Sequence, residues 1–298
     1  MQKKLFRTAQ FIAVSGIMLA FASCGSGTKP SETGESIDLQ MKQKVVDDVK
    51  KVMISLPSPV ETALLLKRAG ATYNESLLNP ASNASRYNTD KQKALNLGVY
   101  GANLSYASIF EQDATVMQYM NISKRLAIGL DLLNAIDQSI VDRLEANHDD
   151  RDSVIRIISE TFLNSNSTLK EDNRPEAAAL ILAGGWIEGL YLATSLAENI
   201  DQTDIITRIV EQKLSFNELL QLLETYSDNK DVAEVLEAIT PVKTAFDNVE
   251  IKKDKVEVIT NEETKKVNLK SAQKIEITQA QYDKLKSAAL ELRNSIIQ

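Results

Sequence analysis

Between residues 37 and 250 the apolar positions recur with the period of a helix, not of a strand. Met41, Val45, Val46, Val49, Val52 and Met53 share one face over residues 39–54. Ser58, Pro59 and Glu61 then offer a cap, a proline suited to the first helical position and a glutamate able to reach back to the cap. Gly70 closes that helix. Residues 72–89 are rich in Asn, Ser and Ala, include Pro80, and predict a loop. A helix over 90–110 carries small residues at Ala94, Gly98, Gly101, Ala102 and Ser105. Further helices are predicted over 113–133, from there to Glu145, and over 149–163. Arg174-Pro175-Glu176 opens another. Residues 203–214 and 215–226 predict two more, 231–239 a short one, and Thr240-Pro241 a restart.

After residue 250 the pattern changes. Residues 256–270, VEVITNEETKKVNLK, alternate modestly about a polar Asn-Glu-Glu-Thr centre, which fits a short β-hairpin or a charged loop. Thr278 then caps a last helix with Tyr282, Leu285, Ala288, Ala289, Leu292 and Ile296 on one stripe. The expected class is all-α: a multi-helix bundle or array, with a C-terminal part (251–298) made of a short hairpin or loop plus a terminal helix. There is a weak internal echo. Residues 101–108, GANLSYAS, align with 186–193, WIEGLYLA, so that Asn103 falls on Glu188 and Tyr106 on Tyr191. A duplicated helical pair would give this pattern, and so would chance.

The stretch AAALILAGGWIEGLYLATSLA, residues 177–197, has the length of a membrane span, yet Glu188 stands inside it. A span would hold that acid near the bilayer centre at a cost of roughly 2.5–3.5 kcal/mol, and the neighbouring helices are polar. A packed central helix fits better, because a helix apolar all round is buried. Gly185, Gly189, Ala193 and Ala197 recur every four residues and predict a smooth groove for a close neighbour. Added bulk at Gly189 should then be costly. Glu188 needs a buried partner or a raised pKa, and Lys124, Arg125 and Arg208 are the candidate partners. The functional alternative is a small-ligand pocket lined by Trp186, Glu188 and Tyr191.

The N-terminus adds location. Lys3, Lys4 and Arg7 precede a short apolar run, 11–21, and small residues come next: an export signal. Cys24, the one cysteine of the chain, comes directly after Phe-Ala-Ser. This arrangement resembles a bacterial lipoprotein signal, which implies cleavage after residue 23 and a lipid on Cys24. The lipid is then the membrane contact. Residues 24–36 are rich in Gly, Ser, Thr, Lys and Glu and read as a flexible tether; residues 37–250 form the helical domain. Gly25 after the cysteine is read, by resemblance to Gram-negative sorting, as favouring the outer membrane.

Formal charge is −7, and loss of the signal removes three basic residues and no acidic one. Such an acidic chain is poorly suited to nucleic acid. Its one Trp and 5% aromatic content offer little for stacking on sugar rings. Together with the lipoprotein start, NRPEAAALILAGGWIEGLYLA resembles a group of uncharacterised all-helical envelope lipoproteins of Gram-negative bacteria. That resemblance implies fold and location and carries no activity, cofactor or catalytic residue.

Candidate chemistry is sparse. His148, the sole histidine, lies among Asp149, Asp150 and Asp152. These lack the loop glycine and terminal glutamate of a calcium hand, and a capped, solvated helix junction is the simpler reading. No zinc motif, phosphate loop or dinucleotide fingerprint is present. Neither a metal nor a cofactor is expected. The sequence therefore favours a non-catalytic binding or scaffolding role, with an envelope protein as partner, over an enzyme or ligand binder built on Glu188.

Overall fold

Pro175 sets the first turn of the central helix. The residues after it explain its burial: Ala, Leu, Ile and Gly on every side leave no polar face to show to water. In the computed structural model this helix runs Pro175–Leu196, and its apolar window is buried entirely within protein. The structure describes residues 59–132, 138–147, 150, 153, 156–157, 160, 174–253, 257–261, 266–270 and 273–298. All fall within one compact unit, Lys42–Gln298. The predicted helix over 39–54, the export signal, Cys24 and His148 lie outside the described residues.

The described helices, numbered along the chain, are α1 (Pro59–Arg68), α2 (Asp90–Ile109), α3 (Asp113–Ile128), α4 (Gln138–Ala146), α5 (Pro175–Leu196), α6 (Thr203–Thr225), α7 (Lys230–Ala238), α8 (Thr240–Asp247) and α9 (Gln279–Ile297). The fold is an all-α helical array, as the periodicity predicts. Local signals set many of the boundaries. Gly70 takes φ +89, and its N–H and that of Ala71 satisfy the carbonyls of Lys67 and Leu66 at the end of α1. Thr89 with Gln92 and Thr278 with Gln281 form reciprocal capping boxes that start α2 and α9.

Two expectations are corrected. Residues 72–89 are not plain loop. They hold two 3₁₀ turns, Glu75–Leu77 and Ala81–Ser85, and the segment is tied inward through Asn79 and Asn83. The two helices expected over 203–214 and 215–226 are one, Thr203–Thr225. Ser215, the expected start of the second, sits mid-helix with its hydroxyl donated back to the Gln212 carbonyl at 2.9 Å.

Between α8 and α9 the chain makes two antiparallel strand pairs. β1 (Glu250–Lys253) pairs antiparallel with β4 (Gln273–Glu276), and β2 (Glu257–Asn261) with β3 (Lys266–Lys270). Glu250 is in register with Glu276 and Asn261 with Lys266, so the outer and inner pairs are nested. The inner pair is the hairpin expected over 256–270. The outer pair is a second two-stranded sheet, its register offset by one residue from that of the inner pair.

The core is built around α5, which packs most extensively on α2, with α1, α6 and α9 on its other sides. The glycines make the α2–α5 approach close, though not where the four-residue spacing suggested. A Cβ added at Gly184 would collide with the Leu95 carbonyl oxygen, and one at Gly98 with the Ile181 carbonyl oxygen. At Gly185 it would meet the Gly98 carbonyl oxygen at 3.4 Å. At Gly189 it would meet nothing within 4 Å. The backbone contact is therefore centred on Gly98 and Gly184, and the predicted cost of bulk at Gly189 has no contact to support it.

Candidate functional site

Glu188 is the one charged residue of α5 beyond its first turn, and it is 0% exposed. Its partner is none of Lys124, Arg125 or Arg208. It is Arg293, from the last turns of α9, itself 6% exposed. Arg293 Nε donates to Glu188 Oε2 at 3.0 Å, and a guanidinium NH2 approaches Oε1 at 3.4 Å. Asn103 Nδ2, from α2, donates to Oε1 at 2.6 Å. Both oxygens are thus occupied by protein donors. Burial pushes the Glu188 carboxyl above the ordinary carboxylate range, opposed by the charge and hydrogen bonds of Arg293 and the amide of Asn103. Offset by 85 residues, Asn103 and Glu188 are the matched positions of the internal echo, and they touch.

The carboxylate is one end of a longer polar chain. Asn103 Oδ1 accepts from the Asn79 backbone N–H at 2.8 Å. The Asn79 side chain donates to the Tyr87 hydroxyl at 3.0 Å and to Asn96 Oδ1 at 3.3 Å, and accepts from Asn83 at 2.9 Å. The Tyr119 hydroxyl donates to the Asn79 carbonyl at 3.1 Å. Arg293 also donates to the Leu77 carbonyl at 3.1 Å. Within residues 72–89 it is Asn79, Asn83 and Tyr87 that turn inward to serve buried partners. Polar groups removed from water hold their places only when paired in this way. Burial also pushes the hydroxyls of Tyr100, Tyr119 and Tyr282 well above the ordinary tyrosine range.

The three residues expected to line a pocket divide. Tyr191 does join Glu188, through Arg293, whose guanidinium lies 4.5 Å from the Tyr191 ring centre. Trp186 belongs to a different cluster. Its indole N–H donates to Ser215 Oγ at 3.1 Å, and its ring packs 5.0 Å from Phe216 and 6.3 Å from Phe246. An open groove of about 500 Å³ lies elsewhere, between α8 and α9, lined by Pro241, Thr244, Asn248, Asp283, Lys284 and Glu291 among others. Trp186, Glu188 and Tyr191 do not line it. Among the described residues no group of three or more His, Cys, Asp or Glu is placed to hold a metal ion.

Comparison with protein-family models, with curated proteins and with solved structures gives no match for this chain.

Arg293, Asn79, Asn83, Asn96, Tyr87 and Tyr119 are members of this cluster that the sequence pattern did not single out. A signal for Arg293 was present: it lies inside the apolar stripe of α9, between Ala289 and Ile296. A charged residue within a buried stripe asks for a buried counter-charge.

Proposed function

We propose that the protein is a lipid-anchored component of the cell envelope, held through Cys24, with a binding or scaffolding role toward another envelope protein and no chemistry of its own. The outer membrane is the proposed site. The location rests on the basic start, the apolar run and the Phe-Ala-Ser-Cys sequence ending at Cys24. One observation supports the non-catalytic reading above the rest. The most unusual titratable group, Glu188, is 0% exposed and spends both oxygens on Arg293 and Asn103. A catalytic or ligand-binding acid needs to come within hydrogen-bond reach of a substrate, and a side chain with no exposed surface does not.

Two measurements test this reading. Cys24→Ser should abolish incorporation of labelled palmitate and move the protein from the membrane to the soluble fraction; equal labelling of the variant would overturn the anchor. Native mass spectrometry of the purified protein should show the mass of the polypeptide and its lipid alone. A co-purifying small molecule, present in the parent and lost in Glu188→Gln, would replace this reading with the ligand-binding one.

A further inference from the structure

We propose that Glu188, with Asn103, is a register key for the C-terminal helix: it admits α9 in one axial position, the one that brings Arg293 to the carboxylate. The apolar stripe of α9 does not itself choose that position. Tyr282, Leu285, Ala289, Leu292 and Ile296 recur every three or four residues. A slide of one turn, about 5.4 Å, would set a similar stripe against the same core.

The polar contacts are not indifferent to such a slide. Near the start of α9 the Tyr282 hydroxyl donates to the carbonyls of Thr194 and Ala197, at 2.8 and 3.0 Å. Lys286 Nζ reaches Ala197 O at 3.1 Å. These are carbonyls of the last turn of α5 and its cap, which have no partner within their own helix. At the other end the favour is returned: Asn96 Nδ2 donates to Ile296 O at 3.0 Å and the Tyr87 hydroxyl to Ile297 O at 3.2 Å. Between them stands Arg293. A one-turn slip breaks every one of these bonds. It leaves Glu188 buried with Asn103 alone and sets a guanidinium against apolar side chains. Buried ion pairs contribute little net stability against well-packed apolar side chains, and their best-attested use is to fix register. A buried charge pair, set among neutral polar contacts in a stripe that repeats itself, matches that use.

The experiment is amide hydrogen exchange of the full chain, comparing the parent with E188L/R293L, R293L and R293K. The apolar double variant should stay folded. Exchange in 279–297 should then speed up by about tenfold or more, while 177–196 stays within about threefold of the parent. R293L should speed exchange in both segments or fail to fold, because an uncompensated carboxylate remains in the core. R293K keeps the charge without the planar fork and should show a smaller acceleration confined to 279–297. The proposal is overturned if E188L/R293L protects α9 as well as the parent does. It is equally overturned if that variant loses protection in both segments alike, or if R293L matches the parent.

Discussion

Trp186 and Glu188 stand two residues apart on one buried helix, and their surroundings have little in common. Trp186 turns to α6 and α8, where Phe216 and Phe246 complete an aromatic cluster with ring centres 5.0 to 6.3 Å apart. One hydrogen bond, to Ser215, satisfies its N–H. Glu188 turns to α2 and α9 and enters a chain of side-chain amides, hydroxyls and a guanidinium. The aromatic side is held by area and shape, which tolerate small changes of partner. The polar side is held by complementarity, and removing one member strands another without water. The same helix thus carries a forgiving contact and an exacting one.

The sharpest way to break that comparison is to remove one partner on each side. Arg293→Met leaves the Glu188 carboxylate buried without its cation and should cost about 3–5 kcal/mol. Trp186→Phe keeps a ring in the aromatic cluster and removes one hydrogen bond, at about 1–2 kcal/mol. Denaturant titration of both variants measures the difference. Equal losses would mean that the polar side is no more demanding than the aromatic one.

The next effect concerns the close approach that makes both sides possible. A methyl group at Gly184 collides with the Leu95 carbonyl, so α2 and α5 must move apart. Gly184→Ala should cost about 3 kcal/mol, the upper part of the usual overpacking range. Gly189→Ala meets open space and should gain up to about 1 kcal/mol through helix propensity. Opposite signs from one chemical change would place the tight contact at Gly184; equal signs would remove it. Thermal melts of the two variants are sufficient.

The smallest effect is in pH. Burial raises the Glu188 carboxyl, so the folded state holds its proton more tightly than the unfolded chain does. Stability from this group is therefore fully present below the unfolded carboxylate range, about 4.3, and declines as pH rises toward the folded value. Relative to Glu188→Gln, the parent should lose stability over that rise and then level off. A parent that gains on the variant over the same range would show that Arg293 outweighs burial.

These contrasts also explain which features are legible in the chain. Pro175, Gly70, Thr278 and the strand alternation about residue 261 act locally, so a few residues are enough to read their structural results. The burial of α5 is legible too, because apolar residues on all sides leave one environment for it. The partner of Glu188 is not. It lies 105 positions away, and spacing within one helix says nothing about which distant helix arrives. Ser215 misleads for a related reason. A hydroxyl that starts a helix and one that bonds back to its own preceding turn look alike in sequence. The groove expected at Gly185 and Gly189 is half right: the small residues do admit a neighbour, but Gly98 on that neighbour places the crossing at Gly184.

α5 has a second audience. To a bilayer meeting the unfolded chain, Pro175–Leu196 is a hydrophobic segment of spanning length with one charge near its middle. A carboxylate at that depth opposes insertion by about 2.5–3.5 kcal/mol. The side chain that the folded core accommodates with an arginine and an amide is thus also the one that most opposes entry of the unfolded helix into lipid.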